Sequence, residues 1–545
     1  MPAEEKTEVA SGAFIGLSFG TLYSTICIVG KDGLDETIAN EDGHRNIPSC
    51  VAYTSHDELV GTQAKLQAIR NPRNTIVHFR NLLAREYPSS RSNALCSFEH
   101  ADVAAHQKEH RLSIVPSLGN SSEPAYEIDS WESEDPDAEP TKRLVTPLQI
   151  TQTFLEGMKV TAEHYLGREV LGCVISDPTS FDKAQTDALV TATKNSGFKH
   201  VFTIKEPVAA ALSFEKESAK IDKKVLVLDF GGHNFNVSLL SSNKGVYTIL
   251  ASEDDFKLGG VHLDEILVGL VADEFKRKTR MDLRENRRSL MKLRTACEQT
   301  KRALSQRDMA PCSVESLYEG MDHTGTINRG RFDALAEPLF QRCASLIKKT
   351  LEKNKVAASE LDSVILVGGS SKVPRYQAVV KGLFPEGTVF HMSSDPDESI
   401  SMGCNIQARL IQEVGVSEYT EACLNEKLTR GIAYTCKDIG IADADGNMCV
   451  IIPRSVPVPC LRTVHFSNAV KGQEELFMAL YEGDNAKVSK NSVLAEVVLS
   501  GIPKTTEVGE CDLEVSFSIE KDMTLHVFCK EKKSGKTLQC DIKKH

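Results

Sequence analysis

A chain of 545 residues is too long for one hydrophobic core and sets an expectation of about two to four domains. With 41% hydrophobic and 26% charged residues the composition is that of an ordinary globular protein, and a net charge of −12 argues against a surface built as a whole to grip DNA. No apolar run approaches the ~18 residues of a membrane span, the start MPAEEKTEVASG lacks the apolar core of a secretory signal, and fifteen scattered cysteines without a CxxC pair read as reduced core thiols of a cytoplasmic protein.

In chain order, residues 1–12 read as a disordered tail. FIGLSFGTLYSTICIV, Phe14 to Val29, is strand, tight turn and strand, a β-hairpin with Gly20 and Thr21 at its bend. A glycine turn of this kind presents a row of backbone N–H groups without side chains, a concavity suited to phosphate. Ile38 to Thr54 adds a turn and a short strand, and NPRNTIVHFRNLL carries Arg80. Residues 85–143 are the least regular. Cys96, His100, His106 and His110 match no strong metal template and read as a solvated face, and the eight acids between Ser121 and Glu139 predict an exposed, mobile loop. A helix is predicted from Thr146 to Leu166, then a buried strand in EVLGCVISDP, a helix from Lys183 to Ser196, and a small-residue helix entered at Glu206 and Pro207.

VLVLDFGGHNFNVSLL, Val225 to Leu240, repeats the glycine hairpin, with Asp229 ending its first strand and Gly231 and Gly232 at the bend. An amphipathic helix follows Gly259 and Gly260. A basic helical tract, Lys276 to Arg302, then carries eleven Lys or Arg against three acids. Within it Glu298, Lys301, Arg302 and Ser305 stand at helical spacing on one face, which offers a carboxylate to ribose hydroxyls and a guanidinium plane to a base. VILVGGSSKVP is a third glycine turn, Gly368, Gly369, Ser370 and Lys372, between a buried strand and a helix, where N–H groups favour anions. After Asp395-Pro396-Asp397 the pattern changes: from Gly431 short alternating runs predict an antiparallel β-sandwich.

Two phosphate-type hairpins, a third glycine turn, the helix face and the terminal β-region resemble, in this order and spacing, the heat-shock protein 70 family, over about Phe14 to Ile542. The resemblance implies an α/β actin-like domain, a duplicated ribonuclease H-like pair of lobes, at 13–412. It further implies a polar linker at 413–430, and at 431–545 a β-sandwich of the substrate-binding type without a helical lid. It implies ATP as ligand, with Mg²⁺ held through water by Asp229 and Glu206. Nucleotide contacts are implied at Gly20, Thr21, Leu22, Tyr23, Glu206, Asp229, Gly231, Gly232, His233 and Gly260. The helix face Glu298, Lys301, Arg302 and Ser305, and then Gly368, Gly369, Ser370, Lys372 and Asp397, complete the set.

The chain departs from the family where hydrolysis is concerned. The usual aspartate is Ser18, the usual hydroxyl beside Thr21 is Leu22, and the usual lysine is Arg80. His233 and Asn234 stand for a glycine and a threonine, and Asn236 for another aspartate. Phosphoryl transfer needs a carboxylate-held metal, a compact cation and a positioned water, so these changes imply nucleotide binding with little or no hydrolysis. No catalytic residue is assigned. The pattern is most similar to the atypical subunit of the fungal ribosome-associated complex. It implies a co-chaperone in stable heterodimer with a J-domain protein of the zuotin type, ribosome-associated through that partner, without membrane contact, stimulating a ribosome-bound chaperone. The alternative is an active ATP-hydrolysing chaperone that uses His233 as a base.

Overall fold

Both glycine hairpins form, and each sits at the centre of its own sheet. The computed structural model describes residues 12–87, 112–117, 123–130, 140–214, 222–243 and 246–416, save 31 and 56, and most of 437–542. Two compact units make up the chain, the first mainly from residues before 421 and the second mainly from those after it.

In the first lobe, β1 (Ala13–Ser18), β2 (Tyr23–Val29) and β3 (Asp35–Thr37) run antiparallel from strand to strand. Helix α1 (Pro147–Leu166) then leads to β4 (Val170–Asp177), which pairs parallel to β1; α2 (Lys183–Asn195) leads to β5 (His200–Lys205), which pairs parallel to β4. β1 is buried along its whole length, which is why it reads as an unbroken apolar run rather than an alternating one. Ile15, Leu17, Ile26, Phe154 and Ile175 form its core. α3 (Glu206–Ser213) crosses to the second lobe.

The second lobe repeats the plan. β6 (Asp222–Phe230), β7 (Phe235–Asn243) and β8 (Val246–Asp255) are neighbours in one sheet. α4 (Gly260–Thr279), α5 (Arg287–Leu304), the hairpin β9 (Met309–Tyr318) and β10 (Met321–Asn328), and α6 (Arg329–Lys353) follow. The chain then returns to the sheet: β11 (Ser363–Val367) pairs parallel to β6, and β12 (Phe390–His391) parallel to β11, with α7 (Pro374–Lys381) between them. Matching strand orders make this the duplicated, actin-like α/β arrangement expected from the sequence.

α8 (Ser399–Val414) packs across α3 and β1 through small residues. A Cβ on Gly403 would lie 1.8 Å from the Ala209 carbonyl oxygen, and one on Gly16 2.3 Å from the Asn405 nitrogen. Backbone faces backbone at both places, so nothing flexible can yield. Gly403→Ala is expected to cost ~1–3 kcal/mol by overpacking, read as a lower urea midpoint at unchanged m-value.

The second unit is a pair of four-stranded antiparallel sheets. Met448–Ile452, Ile439–Ala442, Glu475–Glu482 and Ser492–Ser500 form one; Cys460–Phe466, Leu513–Ile519, Leu525–Glu531 and Thr537–Ile542 form the other. Strict alternation in LEVSFSI sends Leu513, Val515, Phe517 and Ile519 inward, where they meet Leu480 and Val497.

Three sequence expectations need correction. Pro124–Ser130, expected within a mobile loop, is a strand between Ile114–Pro116 and Thr141–Val145, because Ala125, Tyr126 and Ile128 are buried while the acids face out. The basic tract is not one helix. Arg280 takes the left-handed conformation (φ 65°) and closes α4, and Asn286 caps α5 by accepting from the Ser289 N–H. The last helix of the lobes runs to Val414, two residues past the expected boundary. Residues 1–11, the group Cys96, His100, His106 and His110, and linker residues 417–430 lie outside the described residues, whereas Gly12 is buried against Leu171.

Candidate functional site

A cavity of about 540 Å³ lies between the two lobes, and every candidate nucleotide contact named from the sequence lines it except His233. The three glycine turns converge there. Gly260 donates its N–H to the Gly231 carbonyl (3.0 Å), Val261 to that of Gly232 (2.9 Å), and the Ser370 hydroxyl to that of Gly231 (2.9 Å). At Gly368 the backbone has φ 82°, and a Cβ would stand 2.4 Å from Asp229 Oδ1, so only glycine can close this turn. Leu22 reaches over from the first hairpin and covers Gly232, where a Cβ would meet its Cδ1 at 2.3 Å. An isobutyl group thus sits between the two phosphate-type turns.

At one end of the cavity α5 presents Glu298, Lys301 and Arg302. Glu298 is held by Lys65 (2.8 Å), by Arg302 (2.9 Å) and by the hydroxyl of Tyr23, while Lys65 also donates to that hydroxyl (2.5 Å). Lys65 and Arg302 both lie over the Tyr23 ring, 4.8 and 4.9 Å from its centre. Burial pushes the Glu298 carboxyl up, but the two cations and their hydrogen bonds outweigh it and hold it at about 2. Tyr23 and Lys65 belong to the first lobe and Glu298 to the second, so this cluster ties the lobes together. Lys301 pairs with Asp264 (3.0 Å) and donates to the Gly260 carbonyl (2.9 Å), which fixes α5 against the start of α4. Asn46 donates to Asp397, whose other oxygen lies 3.4 Å from Lys372.

At the other end carboxylates gather. Arg80, almost fully buried, pairs with Glu206 (3.0 Å), donates to the Phe19 carbonyl and lies over the Phe181 ring. Asp229 is half-buried beside this pair. Burial, and then the charges of Glu206 and Asp254 against the relief given by Arg80, push its carboxyl up to about 7. Burial likewise lifts Asp254 to about 6, despite hydrogen bonds from Asn236 and Asn234. Three carboxylates against one guanidinium leave an excess of negative charge, a setting that fits a hydrated divalent cation near Asp229 and Glu206. Among the described residues no three His, Cys, Asp or Glu converge to ligate a metal directly. Asn236, where the resembled family has an aspartate, instead bonds Thr179 (3.1 Å), Ser252 (2.8 Å) and Ser238 (2.6 Å) in a hydroxyl network.

These carboxyls give the nucleotide-free chain a pH dependence. A folded-state carboxyl raised to about 7 keeps its proton where the unfolded chain has lost it, so its contribution is fully present below about pH 4 and is lost as pH rises to about 7. Asp229→Asn is therefore expected to raise the melting temperature relative to wild type by roughly 2–4 °C at pH 8, and by less at pH 5. Thermal unfolding at both pH values checks this.

Some functional residues carry no signal in the sequence. Asp264 and Asn46 line the cavity, and Lys65, Thr179 and Asp254 work behind it, yet they sit in ordinary helix, strand and turn wording. A lysine on the short helix Gly61–Gln67 gives no sign that it will meet a glutamate 233 positions away. His233, expected at the cavity, instead sits with its ring 5.0 Å from that of His78 and 5.8 Å from that of His262, a poor place for a base acting on a bound phosphate.

The comparisons with known proteins agree with this geometry. The family model described as Hsp70 protein matches residues 14–545. The heat shock cognate 70 kDa protein 3 of Dictyostelium discoideum is 34% identical over 97% of this chain and 80% of its own length. The heat shock 70 kDa protein of Neurospora crassa is 32% identical over 97% of this chain and 77% of its own. A ribosome-associated molecular chaperone of Saccharomyces cerevisiae is 32% identical over 98% of this chain and 83% of its own. No described helix is long and apolar enough to cross a membrane. Taken with the duplicated lobes, the three converging glycine turns and the β-sandwich, these matches place the chain in the Hsp70 family.

Proposed function

We propose that this chain binds ATP between its lobes, hydrolyses it little or not at all, and acts as a co-chaperone rather than as a cycling chaperone. One observation carries the reading: the two ends of the cavity are unequal. At the nucleoside end Glu298, Lys301, Arg302 and Tyr23 form a complete, charge-balanced cluster. At the phosphate end Ser18 offers no carboxylate, Leu22 covers the second turn, and Arg80 is committed to Glu206 and the Phe19 carbonyl. Bound ATP would supply base stacking, ribose hydroxyls and phosphate charge to tie the lobes, and Mg²⁺ would neutralise the carboxylates beside Asp229. The protein's own part in this reading is to bind and orient the nucleotide.

The inequality of the two ends supports the co-chaperone role. A family member that keeps its nucleotide cannot drive a clamp by hydrolysis, so its output must pass through another protein. We assign as partner a J-domain protein of the zuotin type in a stable heterodimer, on the cytoplasmic ribosome and held there through that partner, stimulating a separate ribosome-bound chaperone. Three fungal relatives bear the name ribosome-associated molecular chaperone, which supports the setting. The test is paired: calorimetric ATP affinity and single-turnover hydrolysis on the purified chain, with co-purification of a J-domain protein from ribosomes. Tight binding without turnover is expected, and turnover at the rate of ordinary family members would sink the reading.

A further inference from the structure

We propose that Cys297 and Cys312 form a dithiol–disulfide pair, a modification site that governs where α5 holds its nucleoside-facing residues. The geometry rests on the packing of α5 over β9. Ser289, Leu293, Cys297, Thr300 and Leu304 make the buried stripe of the helix, and Ala310, Cys312 and Val314 are the inward positions of the strand. Two hydrogen bonds fix the register: the Ser289 hydroxyl donates to the Leu317 carbonyl (2.5 Å) and the Thr300 hydroxyl to that of Pro311 (3.0 Å). Helix and strand therefore run antiparallel, and one turn back from Thr300 brings Cys297 over Cys312.

The two thiols are neighbours, and their interaction raises Cys297 and lowers Cys312. Cys27, Cys50 and Cys343 are pushed up by burial to about 12, whereas Cys312, equally buried, has the Cys297 thiol as its neighbour. Access comes through the hairpin. β9 and β10 pair only with each other among the described strands, their register breaks between Val314 and Tyr318, and Ser316 and Glu319 hold positive φ. A two-stranded ribbon of this kind opens locally at low cost.

The oxidant is a hydroperoxide. The Cys312 thiolate attacks the terminal peroxide oxygen, the O–O bond breaks and the alcohol leaves, giving a sulfenic acid. Cys297 then attacks that sulfur, losing its proton, and hydroxide departs as water. Two thiols and one hydroperoxide give one disulfide, one alcohol and one water. Closing the bond brings the sulfurs to ~2.05 Å and draws α5 towards β9. Glu298, the next residue in the chain, moves with it and away from Tyr23 and Lys65. This consequence rests on the nucleotide reading; the bond itself does not.

The experiment treats the full chain with hydrogen peroxide, digests it with trypsin without reductant, and measures nucleotide affinity before and after. The expected result is a linked pair of the peptides carrying Cys297 and Cys312, two hydrogens lighter than their sum and separated by dithiothreitol. Nucleotide affinity should fall roughly tenfold and recover on reduction. Cys312→Ala should abolish both the link and the response of affinity to peroxide. Separate peptides, whether unmodified or carrying extra oxygens, overturn the pair, and a link that leaves affinity unchanged overturns its control of α5. If the reduced chain binds no nucleotide while the peptides still link, the nucleotide reading fails and the site stands.

Discussion

Arg80→Ala is expected to destabilise the first unit by ~3–5 kcal/mol, the cost of removing one partner from a buried ion pair. Among the described residues the guanidinium is the only cation paired with Glu206, and its side chain is 8% exposed against 15% for the glutamate. Without it Glu206, Asp229 and Asp254 would face one another with no positive charge between them, and the Phe19 carbonyl would lose its donor. The sign of the pH effect follows: carboxyls already raised would rise further, so the deficit grows from pH 5 to pH 8. Adding Glu206→Gln should return part of the loss, because the variant's unpaired charge is gone. Urea unfolding of the nucleotide-free single and double variants measures this, and a single-variant loss below ~1 kcal/mol would show the pair to be ornamental.

The sequence made the sheets and the glycine turns readable because both are local. Continuous apolar runs ended by Gly-Gly state a buried strand and a turn without reference to anything distant, and the similar wording at Gly20 and Gly231 states the duplication. The face of α5 is equally readable, since helical spacing fixes which side chains travel together. What those side chains touch is not. Lys65 meets Glu298, and Asn46 meets Asp397, only because the first lobe folds back over the second, contacts spanning hundreds of residues. Asp254 sits near the end of β8 and becomes part of the carboxylate group only through the pairing of β6, β7 and β8. Pro124–Ser130 reads as loop because its acids dominate the composition, while Ala125, Tyr126 and Ile128 set its structure. His233 stands where the family has a glycine; an imidazole at that bend needs room, and finds it beside His78 and His262 rather than in the cavity.

Restoring the family's usual residues at the phosphate end is expected to raise single-turnover hydrolysis by at least ~10²-fold. The variant is Ser18→Asp, Leu22→Thr, Arg80→Lys, His233→Gly and Asn234→Thr together. Each of the first three changes answers a feature of the cavity. An aspartate at position 18 adds a carboxylate at the end of β1, on the cavity that Asp229 also lines, where a hydrated cation would gain a further negative charge. Threonine at 22 uncovers Gly232, whose backbone Leu22 now masks. Lysine at 80 replaces a fork bound to Glu206 and Phe19 with a compact cation free to approach phosphate. Arg80→Lys alone should give no gain, because the metal carboxylate and the open turn would still be missing, and groups that act as a unit are strongly non-additive. Binding should change by no more than about tenfold, since Glu298, Lys301 and Arg302 are untouched. If the fivefold variant binds ATP and still does not turn it over, the block lies elsewhere, and the Asn236 hydroxyl network behind the cavity becomes the next place to look.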